Sequence, residues 1–157
     1  GRNETMNHTS RLNPLILVLA LASLPAIQGC GPNKIREARK AAYRIQVITD
    51  AAVDTAATLY HDGVISKERT NQIAKVLLKV NEGNRILIEK AGSATVDSPA
   101  LRSDLLAQVR LIADAVKELK AQGLLGIKSK NGELAFASAI NALDASLAII
   151  EVALRSK

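Results

Sequence analysis

The residues able to do chemistry in this chain are few. It has one cysteine, Cys30, and two histidines, His8 and His61. A Ser-His-Asp or Cys-His arrangement needs an imidazole beside its nucleophile, and beyond residue 30 only His61 remains. That same stretch has no Met, so it lacks both the axial ligands of a haem bundle and the Glu-x-x-His pairs of a di-iron bundle. Asp50 and Asp54 stand at i and i+4 on one helix face, where like charges repel mildly and a solvated face is expected. The turn after His61 resembles the middle of an EF-hand loop. If Gly63 takes the sixth loop position, however, Arg69 falls at the twelfth, where calcium needs a bidentate Glu. His61, at the end of its segment, is suited to the last helical carbonyls. No catalytic residue, metal or cofactor is expected, and the chain reads as non-enzymatic.

Cys30 is the exception, because of what precedes it. Residues 15–24 are an unbroken apolar or small run that continues past Pro25 to Ile27. This is too short for a membrane span, which takes ~20 apolar residues, but is the right length for the core of an export signal. With Met6 as the start, residues 6–13 form a polar approach whose one fixed positive charge is Arg11, and residues 1–5 are an upstream extension. The core closes on Ala26, Ile27, Gln28, Gly29 and Cys30. This resembles the lipobox of bacterial lipoproteins, in which an aliphatic residue, a small residue, then Gly or Ala precede an invariant Cys. Ile27 and Gly29 match, and Gln28 is bulkier than the pattern.

The resemblance covers only the first 30 residues. It implies removal of residues 1–29 and acylation of the Cys30 sulfur and the new amino group. Several acyl chains hold a protein on a membrane, whereas one does so only reversibly. Acylation would also account for an exported chain with a single thiol. Since Cys30 has no cysteine partner, no disulfide can brace the domain, which must rest on its core. Gly31 rather than Asp follows Cys30. In lipoproteins of double-membraned cells, this implies the outer membrane over the inner.

Residues 30–157 suit one compact domain able to bury its own core. Its only aromatics are Tyr43, Tyr60 and Phe136. The interior must therefore be aliphatic, and the stacking platforms of single-stranded nucleic-acid sites are missing, so no nucleic-acid partner is expected. The net charge of +6 falls to +5 without Arg2, Glu4 and Arg11. The excess is concentrated just behind the cysteine, where Lys34, Arg36, Arg39, Lys40 and Arg44 face only Glu37. Basic residues oppose the positive end of a helix dipole, at a cost of a few tenths of a kcal/mol each. Anionic headgroups at the anchoring membrane would offset this, at about 1 kcal/mol per basic residue near the surface. These five side chains are the expected membrane-surface contacts.

Four segments carry helical periodicity. The first, about 34–61, places Ile35, Ala38, Ala42, Ile45, Ala52, Ala56 and Leu59 inward, between an Asn33 cap and an Asp62-Gly63 stop. After a turn in which Ile65 plugs the core and Ser66 caps, the second directs Ile73, Val76, Leu77, Val80, Leu87 and Ile88 inward and stops near residues 91–92. Asn84 takes an inward position in it, where a polar side chain can set register, and Gly83 weakens its middle. Ser98 and Pro99 open the third, to about residue 122, with Leu101, Leu105, Val109, Ile112, Val116 and Leu119 as its stripe. Leu124, Leu125 and Ile127 follow among glycines and lysines, in a connection expected to fold onto the bundle end. The fourth helix, about 133–155, has the cleanest a/d seam: Phe136, Ile140, Leu143, Leu147, Ile150 and Leu154.

Long helices joined by short loops pack antiparallel. The expected fold is therefore all-α, an up-down-up-down antiparallel four-helix bundle over residues 30–157, following the leader 1–29. The expected function is that of a lipoprotein of the bacterial cell envelope with a structural or adaptor role. It would meet membrane lipid through Cys30 and anionic headgroups through the basic stretch, and a protein partner or a second copy through helix faces, the fourth-helix seam among them. The alternative is an exported binding protein that holds a hydrophobic or anionic ligand in a groove lined by Ala38, Ala42, Ala52 and Ala56.

Overall fold

The computed structural model describes residues 34–123 and 127–156; Asn33, Leu124, Leu125 and the whole leader with Cys30 lie outside them. Four helices make up the described chain: α1 Lys34–His61, α2 Lys67–Ser93, α3 Pro99–Gly123 and α4 Lys130–Arg155. Each packs on its neighbours in sequence, and α4 returns against α1 to close the ring. Adjacent helices are antiparallel. Lys34 at the start of α1 meets Ser156 beyond the end of α4, and Lys90 near the end of α2 meets Asp104 near the start of α3. The expected antiparallel four-helix bundle is the observed fold.

Local chemistry sets the helix ends. α1 stops where Gly63 adopts φ +69°, a left-handed conformation that suits glycine. There the N–H of Val64 donates to Leu59 O at 2.8 Å and that of Gly63 to Tyr60 O at 3.0 Å, closing the helix with a Schellman pattern. Ile65 turns into the core and Ser66 Oγ accepts from the N–H of Arg69 at 3.2 Å. Ser98 Oγ likewise accepts from Leu101 N at 3.2 Å, capping α3 ahead of Pro99.

The fourth helix starts earlier than its periodicity indicates, at Lys130 rather than Glu133. Ser129 caps it by accepting from Gly132 N at 3.3 Å, so Gly132 belongs to the first turn instead of the loop. That glycine is buried, and a Cβ added there would lie 2.6 Å from Leu59 Cδ2. The absent Cβ thus leaves room for the Leu59 side chain of α1 against α4. Gly83 does the same between α2 and α3, where an added Cβ would meet Ile112 Cγ1 at 2.9 Å. Its residue type weakens the α2 helix and permits the packing of α2 on α3. Ile127 packs partly buried against the core, as expected of that connection.

The core is aliphatic around Phe136, with every expected inward residue of α1 and α4 buried; Ile88 of α2 and Leu101 of α3 are half-buried at the margin. Asn84 is wholly buried, and its Nδ2 donates to Ala42 O of α1 at 2.9 Å. This bond ties one turn of α2 to one turn of α1. The seam from Phe136 to Leu154 lies inside the bundle. Ala38, Ala42, Ala52 and Ala56 are likewise buried in the core of the closed bundle.

Candidate functional site: the end where the chain enters

One end of the bundle gathers the start of α1, the 94–98 connection, the start of α3 and the end of α4. In the sequence, Cys30 is separated from Lys34 only by Gly31, Pro32 and Asn33. The carbonyl of Ser156 organises the corner. It accepts from Lys34 Nζ and, at 3.5 Å, from Arg102 Nη1, which places two cations at the negative end of the α4 dipole. Arg102 also grips Asp97 with both arms of its fork, Nε to Oδ1 at 2.6 Å and Nη2 to Oδ2 at 3.1 Å. Such bidentate pairs add geometric specificity, and this one fastens the connection to α3.

The basic stretch of α1 is divided by this geometry. At 100° per residue, Arg36, Arg39 and Lys40 lie within about 100° of one another on the solvent side, whereas Lys34 falls on the core side. Lys34 is thus engaged in closing the end of α4. Lys40 pairs with Glu37 at 3.0 Å, an exposed contact of the kind that contributes little. Arg36 and Arg39 border a cavity of about 170 Å³ with Ile35, Ala94, Val96 and Asp97. Arg44 stands higher up, in the groove between α1 and α4.

Sequence reasoning missed Val96. It sits 71% exposed in the 94–98 connection, beside Arg36 and Arg39. An apolar tip flanked by arginines is a pattern suited to the boundary between headgroups and acyl chains. In the sequence Val96 lay in a loop among small polar residues, and nothing there signalled that it would share an end with the start of α1.

The remaining candidates stay apart from this end. Asp50 and Asp54 are exposed on the solvated side of α1, and His61 is exposed at its C-terminus. Among the described residues no group of three or more His, Cys, Asp or Glu side chains is placed to hold a metal ion. The pKa of Glu68, in the first turn of α2, is held below its ordinary value by a hydrogen bond from its own backbone N–H, then by the Ser66 hydroxyl. That is cap chemistry on an exposed group.

No protein-family model matches the chain, and neither a characterised protein nor a solved structure is significantly similar to it.

Proposed function

We propose that this protein is a bacterial lipoprotein of the cell envelope, tethered through acylated Cys30, whose helical body works by contact and not by catalysis. The observation that carries the reading is a coincidence of place. The apolar run ending at Cys30 joins the bundle at the end where Arg36, Arg39 and the exposed Val96 lie together. A tether at Cys30 would hold this end against the membrane, with the two arginines at the level of anionic headgroups and Val96 pointing toward the acyl region. Lys34 then serves the fold, and Arg36 and Arg39 are the principal surface contacts, with Lys40 beside them. The α axes would stand away from the bilayer, presenting the outer helix faces to other envelope components. Gly31 after the cysteine favours the outer membrane where the host has one.

Metabolic labelling with palmitate tests the tether: wild type takes up label and Cys30→Ala takes up none, whereas equal label in both refutes the anchor. Flotation with vesicles containing an anionic lipid tests the surface. In the Cys30→Ala background, replacing Arg36 and Arg39 with Glu should abolish residual association, and unchanged flotation would remove them from the contact.

A further inference from the structure

We propose that the outward face of α4 is a self-association surface on which two copies of this chain pack side by side, with their α4 helices parallel. The face consists of Leu134, Ser138, Asn141, Ala145, Ala148 and Val152, spaced alternately by four and three residues, none of them charged. Leu134 is 56% exposed and Val152 69%. That alternation keeps one stripe facing a partner helix, and small residues along its centre allow close approach. A groove of about 400 Å³ runs beside it, floored by Ala142 and Ser146 and bordered by Arg44 and Ile48 of α1.

Charge decides both the occupant and its direction. On the α3 side the stripe is edged by Asp144, which reaches Lys120 of α3 at 3.5 Å, and one heptad later by Glu151, which pairs with Arg155 of its own helix. On the α1 side Arg44 borders the groove, and one turn earlier Lys40 is held by Glu37. Counting along the antiparallel pair from the contact of Lys34 with Ser156, Arg44 lies about level with residue 146 and Lys40 about level with residue 150. Asp144 and Arg44 thus stand at about the same height on opposite rims.

A two-fold axis parallel to the helices brings Asp144 of one copy against Arg44 of the other. A two-fold that reverses the helices would set Asp144 against the Asp144 side of the second copy, away from its Arg44. Asn141 points the same way. In the parallel pair it meets Asn141 of the second copy and the two amides can bond, whereas in the reversed pair it faces Ala145 and loses its partners to burial. Arg44 forms no salt bridge with any described residue, so the second copy would supply its counter-charge. Complementary rims of this kind select partner and register. The inference goes beyond the proposed function and does not require acylation. The parallel pair does leave the first turns of both α1 helices at the same end.

The test uses the full chain with Cys30→Ala, so that an introduced cysteine is the only thiol. Under mild oxidation, Leu134→Cys alone and Val152→Cys alone should each yield disulfide-linked dimers. Leu111→Cys, exposed on α3, should yield roughly tenfold fewer. Dimers that form only when Leu134→Cys and Val152→Cys chains are mixed would show reversed helices and overturn the proposal, as would equal linking at Leu111→Cys or none anywhere. Charge exchange supplies a second measurement by sedimentation. Asp144→Arg should weaken association about tenfold, and adding Arg44→Asp should restore it; a double variant no better than the single would sink the pairing of the rims. Circular dichroism of each variant shows that the bundle is intact.

Discussion

Phe136, Ile140, Leu143, Leu147, Ile150 and Leu154 run down one side of α4, and Leu134, Ser138, Asn141, Ala145, Ala148 and Val152 run down the other with the same alternation of four and three. The first set is buried and the second lies at the surface. Spacing alone makes either set a seam; the size of the side chains separates them. Large aliphatic groups and a phenyl ring fill the interior between four helices and stabilise the bundle in proportion to the apolar area they remove from water. Alanine and serine have too little area to hold a bundle together, but they let a second surface come near. One face of the helix thus holds the fold, and the other is the face proposed to meet a second copy. The combination leaves α4 long and apolar enough to cross a membrane by length and composition, although nearly half of its most apolar stretch is buried in the bundle.

The sharpest break between the two faces comes from truncation. Phe136→Ala should destabilise the fold by about 3 to 5 kcal/mol, the usual range for emptying a buried phenyl site, as read by urea denaturation. A loss below about 1 kcal/mol would mean that the inward seam is not what holds the bundle. Two asparagines extend the contrast, Asn84 buried on α2 and Asn141 exposed on α4. Asn84→Asp should cost on the order of 3 kcal/mol at neutral pH, since it leaves a buried carboxylate unpaired. Burial raises the folded-state pKa of such a carboxyl above its unfolded value. The penalty is therefore absent below the unfolded pKa and grows as pH rises toward the folded one. Asn141→Asp should show neither the loss nor the pH dependence in the isolated bundle.

Gly132→Ala should cost about 1 to 3 kcal/mol, because its Cβ would overlap Leu59 and push α4 off α1; Leu59→Ala in the same chain should recover part of that loss. The smallest effect belongs to the outer face. Val152→Ala should change the stability of the single bundle by no more than about 0.5 kcal/mol. A larger loss there would mean that the outward stripe contributes to the fold of one chain and is not set aside for contact.

Much of this molecule was legible in the residues. The periodicity of Ile35 to Leu59 and of Phe136 to Leu154, the Ser66 and Ser98 caps, the Asp62-Gly63 stop and the inward position of Asn84 all rest on interactions within a turn or two of helix, which local pattern encodes directly. The start of α4 was misread because Gly132 argues against a helix on propensity; its true reason, the nearness of Leu59, lies more than seventy residues away in the chain. The basic stretch of α1 was legible as a composition but not as a site. Lys34 is drawn off by a carbonyl at the far end of the chain, while Arg36 and Arg39 are joined by Val96 from another loop.

From the residues alone came the helices, the up-down order that short connections impose, the poverty of reactive groups and the apolar run that ends at Cys30. Those follow from spacing and composition over a few residues at a time. Only the tertiary structure decided which of the two faces of α4 would be enclosed, which of five cations would be used in closing the bundle, and that Val96 would stand beside Arg36. Each of these depends on which distant segment arrives at a given surface, a matter settled by packing four helices into one ring and not by any one helix.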